Sequence, residues 1–404
     1  MGLLPVGAMQ VHGEWEKRFD RLVAAFQQNF AEKHETGAAL CVYHRGAKAV
    51  DIWAGLKNRT SSQLWAEDTL VPVFSVTKAL ASLCFLILAQ RRKFDYEKPV
   101  AHYWPDFAIA GKKEITCRQL LEHRAGLYSL DTQLELTDFR DNYPRVYRAL
   151  ITQKPLFVPG SSQAYGAQIW GAYAGELFRH VAHESLGQFL AREVARRLNA
   201  EVFIGLPPEQ DHRVATLYPL STFERLGSLL PDLLFGNTTE GRVARAFIAG
   251  DRSIERAYMN PALGPRALDV FNEKWVHRLE LPWANGIANA RSLAAVMNVL
   301  ALGGRVGKTQ FADAELMRQL SKANPLRYDL VLQKRLGWNL GFLKEEPELY
   351  SPNSEAFGHS GMGGPVIFAD PKTRTAFAYV CNKMDYKIRP DKTLRLCKAL
   401  YACL

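Results

Sequence analysis

Ser75 and Lys78 stand three residues apart at the head of an apolar run, a spacing that sets a hydroxyl and an amine one turn apart on the same helix face. Pro72 disfavours helix at Val71, and no glycine or proline follows until Pro99, so the sequence predicts a helix beginning at or just before Ser75. First-turn amides have no partner within a helix, which leaves the Ser75 N–H able to donate to a developing anion. A serine hydroxyl becomes an effective nucleophile when a base takes its proton. Lysine can be that base once burial lowers its pKa from about 10.4. Leu80, Leu83, Phe85, Leu86, Ile87 and Leu88 make the run apolar nearly all round, the pattern of a buried helix. The competing reading is a polar helix start with a lysine in water, and S-x-x-K alone is too common a pattern to decide between them.

Two further segments carry residues of the right type. Pro159 to Gly166 is turn-rich and contains Tyr165, which can shuttle protons if nearby positive charge favours its phenolate. Phe357 to Gly364 holds Gly358, His359, Ser360, Gly361, Met362, Gly363 and Gly364. Its glycines let backbone pass close to a bound group with amides free to donate, as at an oxyanion site; a plain hairpin or bulge is the alternative. Ser360 does not head a nucleophile elbow, because G-x-S-x-G requires glycine where Met362 stands. His180 and His183, three apart on a helix, lack the H-E-x-x-H pattern and a third ligand, so no metal or cofactor is expected.

The elements that position these residues follow from periodicity. Glu14 to Lys33 is patterned as an amphipathic helix. Ala38–Tyr43 and Ala49–Ala54 read as strands joined by a turn at His44–Ala47. Lys98 to Ala323 is mostly helical and loop-rich, with clear helices over 170–183 and 186–198, and no firm periodicity over 230–265. Strands return at 336–342, 364–369 and 375–381, the last two joined by a turn at Asp370–Thr373, and a helix closes the chain over about 390–402. The fold class is therefore α+β: an antiparallel sheet from both chain ends flanked by helices, with an inserted mainly helical lobe. The boundaries fall at about 14–74 and 330–404 for the sheet lobe and 75–329 for the helical one.

With 404 residues, 48% of them hydrophobic, the chain can bury a large core. Its formal net charge is +10, which steers anionic solutes, but zinc-finger, helix-turn-helix and basic-aromatic patterns are absent, so nucleic acid is not an expected partner. Arg91–Lys93, Lys112–Lys113 and Arg196–Arg197 read as solvated helix ends. The six cysteines form no C-x-x-C pair, as expected of free thiols in a reducing compartment. Met1–Val6 has no charged lead or long apolar core, and the run after Ser75 is too short to span a bilayer, so no membrane association is expected and the location is read as cytoplasmic.

Taken in order, six segments carry a resemblance: Asp68–Leu70 leading into Phe74–Lys78, Leu120–Leu127, Pro159–Gly160 with Tyr165, Ile204–Pro207, Ala284–Arg291 and Gly358–Gly364. Together they resemble the serine β-lactamase and penicillin-binding-protein fold, and within it the class C-like esterases called family VIII carboxylesterases. The resemblance spans about residues 14–402, as a single domain. It implies that Ser75 attacks an acyl carbon while Lys78 and Tyr165 share the proton work, that the Ser75 and Met362 amides form the oxyanion hole, and that His359, Ser360, Gly361 and Trp338 contact substrate. His359 takes the place of the lysine in the lactamases' K-T-G.

The lactamases' Tyr-x-Asn is here Tyr165-Gly166-Ala167, and alanine cannot hold a lactam side-chain amide. The implied activity is thus hydrolysis of a small carboxylic ester through an acyl-enzyme. Acyl transfer to an alcohol on the same site, and β-lactamase or D-alanyl peptidase activity, are the alternatives. A non-catalytic scaffold is opposed by the joint presence of Ser75, Lys78, Tyr165 and the glycine segment. Trp65, Tyr128, Trp283 and Trp338 are expected to set specificity over the cleft.

Overall fold

The computed structural model describes residues 10–220, 222–234, 236, 238–344, 350–387 and 389–404; the Met1–Val6 reading lies outside them. Strands β1 (His12–Trp15), β2 (Gly37–His44) and β3 (Ala47–Asn58) open the chain. Strands β4 (Arg327–Asp329), β5 (Lys334–Asn339), β6 (Phe342–Lys344), β7 (Phe357–Ser360), β8 (Val366–Asp370) and β9 (Thr375–Cys381) close it. They form one antiparallel sheet in the order β1-β3-β2-β9-β8-β7-β6-β5-β4, with Gln63–Leu64 appended to β3. The two chain ends meet where β2 pairs with β9, Leu40 opposite Tyr379.

Alternation along the strands assigns the two faces. Leu40, Val42, Val366, Phe368, Phe377 and Tyr379 pack against helices α1 (Asp20–Ala31) and α5 (Asp391–Tyr401), whose Leu22, Phe26, Leu396 and Leu400 are fully or almost fully buried. Their neighbours Ala39, Cys41, Ile367, Ala369, Ala376 and Ala378 face the larger core. Small side chains there let α4 (Ala290–Ala301) lie close on β2, β8 and β9. Helices α2 (Val76–Gln90) and α3 (Trp170–Ala182) complete that core.

Several elements differ from the sequence reading. Glu14 and Trp15 belong to β1, not to a helix, because they pair with Asp51 and Val50; α1 begins only at Asp20. The apolar run 336–342 is two strands, since Leu340 (φ 51°) and Gly341 (φ 85°) form a two-residue hairpin turn that leucine hides. The stretch from Leu230 to Pro265, read from the sequence as loops and short helices, does hold short helices, at Thr222–Leu234, Thr239–Ile248 and Arg252–Met259. Lys112 is buried rather than solvated: its Nζ donates to the Ile151 and Gln153 carbonyls (2.6 and 2.8 Å), at the end of the helix Tyr143–Thr152. Among the described residues no helix is long and apolar enough to cross a membrane, and all six cysteines are free.

Candidate active site

The strand-to-helix turn before α2 is built around Phe74, held at φ 47°, a region costly for a side chain with a β-carbon. Tertiary bonds hold it there. Val73 N donates to Gly286 O (2.8 Å), Thr77 Oγ1 to Phe74 O (2.5 Å), and Gly286 N to Thr77 Oγ1 (2.8 Å). A β-carbon on Gly286 would stand 2.6 Å from Thr77 Oγ1, so only glycine allows this approach. The turn makes Ser75 the residue that caps α2, half-buried, with Lys78 one turn on and without solvent exposure.

The two sequence-predicted partners of Ser75 converge on its hydroxyl. Lys78 Nζ lies 3.3 Å from Ser75 Oγ and donates to the carbonyls of Ala167 (3.0 Å) and Trp283 (3.2 Å). The Tyr165 hydroxyl lies 2.9 Å from the same Oγ, and Lys78 Nζ stands 4.8 Å from the centre of its ring. Among the described residues no carboxylate pairs with Lys78, and burial drives its pKa well below the ordinary ammonium value. The deprotonated form of Lys78 has two N–H groups, matching the two carbonyls, and one lone pair for the Ser75 hydroxyl.

Tyr165 moves the other way. Burial raises its phenol pKa, outweighing its hydrogen bond with Ser75 and the charge of Arg389, while Asp329 raises it further. The sequence reading required positive charge to favour a phenolate; instead Tyr165 keeps its proton.

The Gly361–Gly364 turn leads from β7, which ends at Ser360, toward β8. Gly361 N donates to Pro365 O (2.7 Å), and a β-carbon on Gly361 would come within 2.3 Å of Val73 O, which brings this turn against the one before α2. Neither the Ser75 nor the Met362 amide donates to another described residue, and the Met362 side chain is largely exposed. His359 is buried with its ring 6.2 Å from that of Tyr165, and Ser360 Oγ accepts from Arg389 (3.1 Å). Trp338 stacks on Tyr165 at 5.8 Å and 9°. Tyr128, buried, stacks on Phe157 in the same cluster.

Trp65 and Trp283 do not overhang the cleft. Trp65 packs on Gly37 and Trp283 on Phe139, both in the core; only the Trp283 carbonyl reaches the site. His180 stacks on Trp104, and among the described residues no three His, Cys, Asp or Glu side chains gather as a metal site.

Two residues that support the site escaped the sequence reading. Asp329, without solvent exposure at the sheet edge, accepts from Tyr165 N (3.1 Å), Val331 N (3.0 Å), Leu332 N (2.9 Å) and Gln163 Nε2 (3.2 Å), tying the Tyr165 loop to β4. His123 Nδ1 accepts from Gly166 N (3.1 Å), and its ring lies 4.9 Å from Tyr165 and 4.3 Å from Trp338. Burial, the largest cause, pushes the His123 pKa well below its ordinary value, and because Nδ1 accepts from Gly166 N the ring proton is assigned to Nε2. His123 sits inside a segment that carried the resemblance, whereas nothing in the sequence links Asp329 to Tyr165.

Fold and site thus define an antiparallel sheet flanked by helices, with a serine hydroxyl poised between a buried amine and a phenol. Residues 19–399 match the beta-lactamase family, and the chain belongs to it. It is 31% identical over 392 residues to "Esterase/beta-lactamase LipL" of Mycobacterium tuberculosis, covering 94% of this chain and 85% of that protein. Among solved structures it is similar to a penicillin-binding-protein homolog from Caulobacter crescentus (TM-score 0.84, 32% identity, 98% and 100% of the two chains). It is also similar to a family VIII carboxylesterase (TM-score 0.80, 34% identity, 98% and 100%).

Proposed function

We propose that this protein hydrolyses small carboxylic esters through an acyl-enzyme on Ser75. The observation that carries the reading is the Ser75 hydroxyl 3.3 Å from the amine of Lys78, whose pKa burial lowers, and 2.9 Å from the Tyr165 phenol, whose pKa burial raises. Lys78 takes the Ser75 proton as Oγ attacks the ester carbon. The oxyanion that forms lies against the Ser75 and Met362 amides. Tyr165 gives its proton to the departing alkoxide, and Lys78 then reprotonates Tyr165. Water then attacks the acyl carbon and gives its proton to the same pair, which returns a proton to Ser75 Oγ as the bond between Oγ and the acid breaks.

The names of the similar proteins, an esterase/beta-lactamase and a family VIII carboxylesterase, support an ester substrate. Ala167 supports it over a β-lactam: its side chain has no amide, and its carbonyl serves Lys78. The six free cysteines fit a cytoplasmic location.

The test is turnover of a short-chain nitrophenyl ester by the protein and by Ser75→Ala, with a chromogenic cephalosporin in parallel. Ester turnover lost in the variant, with slow cephalosporin cleavage, is the expected result. Faster turnover of the cephalosporin than of the ester would overturn the substrate assignment.

A further inference from the structure

Gln163 and Trp338 also border a second space, a cavity of about 390 Å³ whose lining includes none of Ser75, Lys78 and Tyr165. Among the described residues its walls carry Arg118, Arg124, Lys322 and Arg327 against two acids, Glu97 and Glu122. Both acids are engaged by Arg118, whose three nitrogens donate to Glu97 (2.6 Å), Glu122 (3.1 Å) and Gln319 (3.2 Å). Arg124, Lys322 and Arg327 form no ion pair with any described residue.

Arg124 donates through one terminal nitrogen to Gly160 O (2.7 Å), but its Nε is sealed from solvent without an acceptor. Nε1 of Trp338 is a second buried donor without an acceptor. Buried N–H groups are almost always paired, and both orphans belong to residues that line this cavity. Burial, then the charge of Arg327, depress the Arg124 pKa, the mark of a cation short of negative charge.

We propose that this cavity is a binding site for a small, multiply charged oxyanion, a polycarboxylate or a phosphate, held by Arg124, Lys322 and Arg327. Guanidinium groups suit carboxylate and phosphate oxygens, and the volume is that of a small-molecule site. The site is separate from the Ser75 hydroxyl and adjoins the Tyr165 loop, because Gln163 is bonded to Asp329 and Trp338 is stacked on Tyr165.

The experiment is calorimetric titration of the full chain with citrate and with inorganic phosphate, against sodium chloride at matched ionic strength. Saturable binding of at least one oxyanion is expected, weakened about tenfold in Arg327→Gln and in Lys322→Gln, the loss of one charge-assisted contact. Both residues are exposed, so these variants fold, and their ester turnover without added anion should match the parent protein. Tighter binding of phosphate assigns the natural ligand to phosphorylated compounds, and tighter binding of citrate to polycarboxylates. Heats no larger than those of chloride, or equal affinity in the parent and both variants, overturn the proposal.

Discussion

At the scale of single residues, the account rests on opposite shifts of two protons. Lys78 loses its proton more easily than an exposed lysine, and Tyr165 holds its own more tightly. The base form of Lys78 is present above its lowered pKa and disappears as pH falls through it. The pH profile of kcat/KM should therefore carry an acid limb far below the usual lysine range, and no alkaline limb from Tyr165 near neutrality. Tyr165→Phe should lower kcat by about 10²–10⁴-fold while leaving that acid limb in place; disappearance of the limb would assign it to the tyrosine. Ser75, Lys78 and Tyr165 were legible in the sequence because motif order surrounds each of them. Asp329 was not legible, since its bond to Tyr165 joins residues 164 positions apart and follows no spacing rule. Asp329→Ala would leave three buried amides and Gln163 without their acceptor. A loss of roughly 2–4 kcal/mol of stability is expected, read from denaturant unfolding.

At the scale of elements, two close backbone approaches set the site. Gly286 lies against Thr77, and Gly361 lies against Val73. Gly361→Ala places a methyl group 2.3 Å from the Val73 carbonyl, so the Met362 amide must shift. The expected result is a fall in kcat of about 10²-fold, within the range for losing one oxyanion donor, with a smaller change in KM. A variant with unchanged kcat would remove Met362 from the oxyanion hole. Strand alternation in β2, β8 and β9 and the unbroken apolar helix α2 were readable from periodicity. Three things were not. Leu340 occupies a positive-φ turn position that sequence assigns to Gly or Asn, β1 is defined by its partner strand, and Lys112 is buried because two helix-end carbonyls need a donor.

At the scale of the whole molecule, the inner face of the sheet from both chain ends and the buried α2 share one core. Leu86 in α2 has no solvent exposure, and Leu86→Ala should cost about 2–5 kcal/mol, seen as a lower thermal midpoint with the Ser75 site still present in the folded fraction. The net charge of +10 acts at longer range. Raising salt across the physiological range should lower kcat/KM for an anionic ester and leave that for a neutral ester nearly unchanged. Equal salt dependence for the two esters would show that charge does not steer substrate.

The most direct test of the Ser75 mechanism is intact-mass and peptide-mapping mass spectrometry after acid quench of a reaction with a short-chain nitrophenyl ester. The account predicts an acyl adduct on the peptide containing Ser75, formed within the first turnover and absent from Ser75→Ala. Ester turnover with no adduct, and at the same rate in Ser75→Ala, would contradict it.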